Sequence, residues 1–203
     1  MFFTFPLTMK TTIIILAAGA SSRMGTMKQL LPWEGTTLLG HVIHTAISTE
    51  ADNTVLVLGA KAEEIEKSIK PSLVSLVVNE NWKQGMGSSI AKGVAYITQN
   101  FPDTQAVLII LADQPFIDKN NLNTYLDKGN KYPEKIVATN YGLKLGVPAL
   151  FPKSFFKQLM TLNKDYGARE ILETNRDNIF AVKNNINLVD LDTMKKYHQL
   201  KKL

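Results

Sequence analysis

A chain of 203 residues, 45% hydrophobic and 20% charged, is long enough to bury the core of one α/β domain and too short for two ordinary domains with a linker. It has no cysteine, which excludes disulfides, thiolate nucleophiles and zinc–thiolate sites and leaves only oxygen or histidine ligands for a metal. The formal charge of +5 is scattered, with one small cluster at Lys195, Lys196, Lys201 and Lys202, so a dedicated nucleic-acid binder is disfavoured.

The apolar opening, residues 1–9, lacks the basic and long hydrophobic regions of a signal peptide. Residues 1–10 are therefore expected to form a flexible N-terminal extension, with a single domain over 11–203. No apolar run reaches the roughly 20 residues of a membrane helix. The expectation is a cytoplasmic protein without a membrane partner.

Strand-like runs follow at 12–16, 54–58, 74–78 and 106–111. Helical patterns separate them at 37–48, 61–69 and 88–98, with a further one at 120–128. In the first helix Leu39, Val42, Ile43 and Ala46 recur at i, i+3, i+4 and i+7, one face of a helix. Near-continuous Val, Ile and Leu in the strands implies burial on both faces, as in a mostly parallel sheet flanked by helices. A strand at 135–139, a mixed segment at 143–151, helices at 166–174 and 191–200 and a late strand at 179–182 complete the chain. The fold class is α/β, Rossmann-like.

The first strand ends in Leu16-Ala17-Ala18-Gly19-Ala20-Ser21-Ser22-Arg23-Met24-Gly25, with Lys28 close behind. A buried strand breaking into small residues, glycine and cations delivers a loop suited to a polyanion, and ligands of open parallel sheets gather beyond the carboxyl ends of the strands. Gly19 and Gly25 allow close backbone approach, while Arg23 and Lys28 supply charge-assisted bonds. The spacing matches neither the Walker loop nor the dinucleotide fingerprint. An ordinary Gly/Ser turn explains Gly19 but not the cations. Asp113 should emerge beside this loop, after the strand at 106–111; a carboxylate there suits Mg²⁺, or serves a turn or cap ahead of Gln114-Pro115. Lys28 and Asp113 are both expected to face solvent. His41 and His44 lie opposite the apolar face of their helix and are read as exposed, not as metal ligands.

Leu16-Ala17-Ala18-Gly19, Arg23-Met24-Gly25 and Lys28-Gln29-Leu30-Leu31-Pro32 together resemble the signature of the MobA-like nucleotidyltransferases, most closely the molybdenum cofactor cytidylyltransferases. The resemblance continues through Asn79, Trp82, Gly85-Met86, Ser88-Ser89, Leu111-Ala112-Asp113-Gln114-Pro115, Gly146 with Pro148, Asp165 with Gly167-Ala168-Arg169, and Asp190-Leu191-Asp192-Thr193. It implies a nucleotide-diphospho-sugar transferase type of fold, with 11–203 as the nucleotidyltransferase domain. It also implies an Mg²⁺-dependent transfer of CMP from CTP to a molybdopterin-type acceptor, with release of pyrophosphate.

By the same resemblance Arg23, Lys28 and Asp113 are catalytic, and Leu16, Ala17, Ala18, Gly19, Arg23, Lys28, Asn79 and Ser88 bind the nucleotide. Ser88 also reads as a plain helix cap. Asp113 and Asp192 hold the metal, with Asp190 the alternative to Asp192, which could equally cap the last helix. Gly146, Pro148, Asp165 and Arg169 line the acceptor side; Arg169 could instead pair with Asp165 at four-residue spacing. Cytidylyl members carry Leu-Ala-Ala-Gly where guanylyl members carry Leu-Ala-Gly-Gly, so Ala18 favours CTP. One departure is Gly146-Val147-Pro148 where the family has Gly-His-Pro, and this leaves the acceptor open. Beyond CTP and the acceptor, the implied partners are a molybdoenzyme or its maturation chaperone. The alternatives are a GTP-using or sugar- or alcohol-phosphate transferase of the same fold, and a non-catalytic nucleotide-binding chaperone.

Overall fold

The computed structural model describes residues 8–21, 24–69, 73–183 and 190–201. In chain order its elements are β1 (Thr11–Leu16), the short hairpin β2 (Pro32–Trp33) and β3 (Thr36–Thr37), α1 (Leu38–Ile47), β4 (Asn53–Leu58), α2 (Ala62–Glu66), β5 (Ser75–Val78), α3 (Met86–Asn100) and β6 (Ala106–Leu111). Then follow α4 (Lys119–Lys131), β7 (Ile136–Asn140), β8 (Leu145–Pro152), α5 (Phe156–Met160), α6 (Arg169–Thr174), β9 (Ile179–Lys183) and α7 (Met194–Leu200).

Seven strands form one sheet in the order β5-β4-β1-β6-β8-β7-β9. The pairs β5–β4, β4–β1 and β1–β6 are parallel, β8 runs antiparallel to both β6 and β7, and β9 returns parallel to β7. The isoleucine run explains why β1 is central. Ile13 and Ile15 point into the layer that holds Leu39, Val42 and Ile43 of α1, while Ile14 and Leu16 point into the layer that holds Ile90, Val94 and Ile97 of α3. Alternate side chains of a strand face opposite ways, so a continuous apolar strand requires a helical layer on each side.

Local chemistry sets the helix starts. Thr37 caps α1 through its side chain and the Gly40 amide, and Asp118 and Asn121 form a reciprocal capping box on α4. Thr193 caps α7, so that helix begins at Met194 rather than at 191. The expected helix at 166–174 likewise starts only at Arg169, and the mixed segment at 143–151 is β8. The β2–β3 hairpin and α5 went unread in the sequence because two-residue strands and a five-residue helix carry no measurable period.

Within the extension expected at 1–10, Met9 and Lys10 donate their amides to the Asn130 and Gln105 side chains. His41 is not simply exposed: its Nε2 lies 3.0 Å from the Pro115 carbonyl oxygen and ties α1 to the loop after β6. No helix among the described residues is long and apolar enough to cross a membrane.

Register positions the site. Leu16 pairs with Val57 on one side and with Leu111 on the other, so β1, β4 and β6 end together at one edge of the sheet. A smaller, separate cluster is formed by Met24, Trp33, Leu38, Leu191 and Tyr197. Within it the Trp33 and Phe116 rings meet edge to face at 5.5 Å, and the Tyr197 hydroxyl donates to the Pro32 carbonyl at 2.6 Å. The Leu191 amide donates to the Asp113 carbonyl at 3.0 Å, which fixes the end of the chain against the end of β6.

Candidate active site

A groove of about 490 Å³ opens at this carboxyl edge, lined by Leu16, Ala17, Ala18, Gly19 and Ala20 after β1, by Lys28 and Gln29, and by Leu111, Ala112 and Asp113 at the end of β6. Trp82, Lys83, Gly85, Met86 and Ser89 contribute the opposite wall, joined by Asp165 from the loop before α6.

The β1 loop is held from beneath by Gln29. Its side chain is 2% exposed, and its amide donates to the carbonyls of Ala17 at 3.1 Å and Gly19 at 2.9 Å. Ser21 then turns through φ +53° and Gly25 through φ +65°, which swings the chain round to Lys28. Arg23 lies outside the described residues.

Lys28 donates to Asp113 Oδ2 in a short ion pair, and its ammonium also stands 3.7 Å from Asp192 Oδ1. The expectation that Lys28 and Asp113 face solvent is corrected: their side chains are only 18% and 13% exposed. Both line the wall of the groove, paired with each other at the end of β6. The second carboxylate oxygen of Asp113, Oδ1, is buried and has no hydrogen-bond partner among the described residues. An orphaned anionic oxygen is costly, and a hard cation is what would satisfy it.

Of the two C-terminal acids, Asp192 is the one beside Lys28. Asp190 turns to Gln114, whose side-chain amide donates to its Oδ1 at 2.8 Å. Burial pushes the Asp190 carboxyl above its usual range; the Gln114 bond works against that rise, and the charges of Asp113 and Asp192 add to it. Among the described residues no three His, Asp or Glu side chains cluster as a metal cage. Asp113 and Asp192 are the two carboxylates against the Lys28 ammonium, and a pair of this kind could hold Mg²⁺ together with substrate phosphates and water.

The other predicted residues separate. Asn79 is 2% exposed and donates to the hydroxyls of Ser88 and Ser89 at 2.9 and 3.0 Å. Ser88 in turn donates toward the carbonyls of Asn81 and Gly85 at 3.0 and 2.8 Å. The two residues brace the turn into α3 and do not line the groove. Gly146, Pro148 and Arg169 are also absent from its lining. Arg169 pairs with Glu173 at 2.7 Å, not with Asp165.

Sequence reasoning did not assign site roles to Gln29, Trp82 and Lys83. Gln29 and Trp82 do stand inside the quoted motifs, where a polar or aromatic residue beside a lysine or a glycine turn is the available signal. Close approach explains Trp82. A Cβ on Gly59 would fall 2.6 Å from Trp82 Cβ and 2.8 Å from both Cβ and carbonyl oxygen of Ala18, so Gly59 alone lets β4, the β1 loop and Trp82 meet.

Comparison with known proteins agrees with this geometry. The chain is 28% identical over 199 residues to the purine catabolism protein PucB of Bacillus subtilis, covering 93% of this chain and 95% of that one. The structure superposes on that of Rv0371c from Mycobacterium tuberculosis with a TM-score of 0.82 at 28% identity, over 97% of this chain and 99% of the other. A manganese complex of Rv0371c gives 0.78 at 26% identity, over 95% and 98% of the two chains. Residues 13–179 match the MobA-like NTP transferase domain, and with the fold in agreement the chain belongs to that family and is a nucleotidyltransferase.

Proposed function

We propose that this nucleotidyltransferase moves CMP from CTP to the terminal phosphate of a molybdopterin-type acceptor in the cytoplasm, with Mg²⁺ as its ion. The observation that carries the base assignment is Ala18. It is 7% exposed, lines the groove and is packed against Gly59, so its methyl group takes space that a glycine would leave open. A narrower pocket favours a pyrimidine over a purine.

In the reaction an oxygen of the acceptor phosphate attacks the α-phosphorus of the triphosphate. A new P–O–P linkage forms, the bond from the α-phosphorus to its bridging oxygen breaks, and pyrophosphate leaves. Such chemistry asks the protein for alignment and charge neutralisation. Lys28 supplies a cation already aimed into the groove, and Arg23 is assigned to the same phosphates by the motif it completes. Gln29 holds the carbonyls of Ala17 and Gly19, and the amides of Ala18, Gly19 and Ala20 stay available to an anion. Asp113 and Asp192 would hold Mg²⁺, which would neutralise charge between the phosphate oxygens; the manganese complex of the similar Rv0371c supports a divalent ion.

Gly146, Pro148 and Arg169 stay assigned to the acceptor side. Val147 in place of the family's histidine favours a second reading, a sugar- or alcohol-phosphate acceptor. A recipient molybdoenzyme or maturation chaperone belongs to the first reading, and PucB, a purine catabolism protein, is in keeping with a recipient that acts on purines.

Pyrophosphate release measured for the four ribonucleoside triphosphates against molybdopterin and several sugar phosphates tests both assignments. Turnover with CTP and molybdopterin is expected. A preference for GTP overturns the base assignment, and turnover on sugar phosphates alone overturns the acceptor.

A further inference from the structure

We infer that Asp165 recognises the sugar of the bound nucleotide, its carboxylate accepting hydrogen bonds from the vicinal hydroxyls. The inference rests on the nucleotidyltransferase site but not on the choice of CTP or acceptor. It moves Asp165 from the acceptor side, where sequence resemblance puts it, to the nucleotide itself.

Asp165 shares the groove with Ala18, Lys28 and Asp113, although it comes from the loop between α5 and α6. Two glycines fix its position. Gly85 has φ +102°, and a Cβ there would fall 2.2 Å from Asp165 Oδ1, 2.6 Å from its Cα and 2.7 Å from its amide nitrogen. The Gly87 amide donates to the Lys164 carbonyl at 2.8 Å, and a Cβ on Gly87 would meet that same oxygen at 2.8 Å. The loop backbone is thereby clamped onto the first turn of α3, which sets Asp165 beside the groove before any ligand arrives.

The fold gives this carboxylate nothing to do. Gly85 stands at the N-cap of α3 and no side chain caps that helix. The cations nearest in sequence are engaged elsewhere, Lys164 with Glu170 at 3.9 Å and Arg169 with Glu173 at 2.7 Å. The Lys83 ammonium sits over the Trp82 ring, 5.7 Å from its centroid. No hydrogen bond or ion pair engages the Asp165 carboxylate among the described residues.

Charge decides what it can meet. An ionised carboxylate only accepts, so it repels a triphosphate and suits a neutral donor. Lys28, with Asp113 and Asp192, marks the phosphate end of the groove, over β6. Asp165 stands at the α3 end and is exposed at the rim, whereas Ala17, Ala18 and Ser89 lie buried where a base would go. Between phosphate and base lies the sugar, whose adjacent hydroxyls offer two O–H donors to the two oxygens of one carboxylate. Hydrogen bonds to a charged acceptor are the stronger kind, and an acidic side chain holding ribose hydroxyls recurs in other α/β nucleotide sites.

The test is equilibrium binding, by calorimetry, of each ribonucleoside triphosphate and its 2′-deoxy and 3′-deoxy forms to the full chain and to Asp165→Asn and Asp165→Ala. The unaltered protein is expected to prefer the ribo form by roughly tenfold or more, as for loss of one hydrogen bond to a charged group. Both variants should bring that ratio close to one, mainly by weakening the ribo form. Each ratio compares two ligands on the same protein, so partial unfolding cancels. An unchanged ratio overturns the inference, with or without a raised acceptor KM. So does a loss confined to bases with an exocyclic amino group, which would put Asp165 on the base. If the protein prefers GTP, the base assignment fails while the ratio is still read with GTP.

Discussion

The two halves of the sheet meet at β6 and are built on different plans. On one side β5, β4, β1 and β6 run parallel, and residues distant in sequence converge because their strands end together: Ala18 after β1, Gly59 after β4, Trp82 after β5 and Asp113 after β6. On the other side β8 is antiparallel to both neighbours, and Gly146, Pro148 and Arg169 stay apart from the groove. Parallel strands pool their carboxyl ends at one edge, so a switch in connection there makes a ligand site almost unavoidable. An antiparallel insertion alternates its ends and assembles nothing by itself. The parallel half therefore gathers Lys28 and Asp113 at one groove, while Gly146, Pro148 and Arg169 of the other half line none of it.

The largest effect that would break this contrast is at Lys28 and Asp113. Lys28→Ala and Asp113→Ala should each lower pyrophosphate release by about 10²-fold or more, as for the loss of a preorganised electrostatic contact to the reacting phosphates. Because the pair is mostly covered, each single variant should also lose stability, Lys28→Ala more than Asp113→Ala, since Lys28 keeps Asp192 at 3.7 Å whereas Asp113 is left without its cation. Thermal unfolding of the single and double variants checks this, with the double variant expected to be no worse than the poorer single. Near-normal turnover in either single variant would show that convergence at the strand ends is only structural.

Glycine substitutions sharpen the same contrast. Gly59→Ala must push apart Ala18 and Trp82, and overpacking of that sort costs about 1–3 kcal/mol. Nucleotide affinity should fall with it. Gly146→Ala, in the other half, meets only the edge of the Tyr141 ring at 3.1 Å, and a partly exposed ring can give way. Its cost should stay below about 1 kcal/mol, with nucleotide binding unchanged. Denaturant unfolding and nucleotide titration of the two variants measure the difference directly.

Legibility in the sequence follows the same division. The parallel half was readable because an apolar strand followed by glycine and cations is a local pattern, and strand order then fixes its neighbours. The meeting of Lys28 with Asp113 follows from that order, but their low exposure does not show in residue type. Residue type could not reveal direction at Asn79 and Ser88, which spend their polar groups on one another. For Arg169 the sequence offers an acid four residues away on either side. Only the start of α6 decides between them, since Asp165 precedes the helix and Glu173 lies on it.

A smaller effect is expected at Arg169. Its bond to Glu173 is an exposed i,i+4 pair, worth no more than about 0.5 kcal/mol, so Arg169→Ala should barely shift unfolding. If it meets the acceptor, the variant should raise the acceptor KM and leave nucleotide affinity alone. A loss of nucleotide affinity would instead tie the outer half into the nucleotide site.

One polar link does join the halves, and it is testable by pH. The Gln114 amide, next to Asp113, lies 3.4 Å from the Tyr141 hydroxyl, which donates to the Val147 carbonyl at 2.6 Å. Burial pushes the Tyr141 phenol up from 10.0 to about 12; the Gln114 bond opposes the rise, while the negative charge of Asp190 adds to it. A raised phenol binds its proton more tightly in the folded state than in the unfolded one. Its contribution is therefore whole below pH 10 and is lost as pH climbs from 10.0 toward about 12. Absorbance titration should show a late-ionising step that vanishes in Tyr141→Phe. The variant should also lose stability less steeply over this range, because the phenolate that breaks the bond to Val147 can no longer form. If Tyr141→Phe titrates as the unaltered protein does above pH 10, the hydroxyl is not held between the two halves, and the β7–β8 hairpin is free to move independently of Asp113.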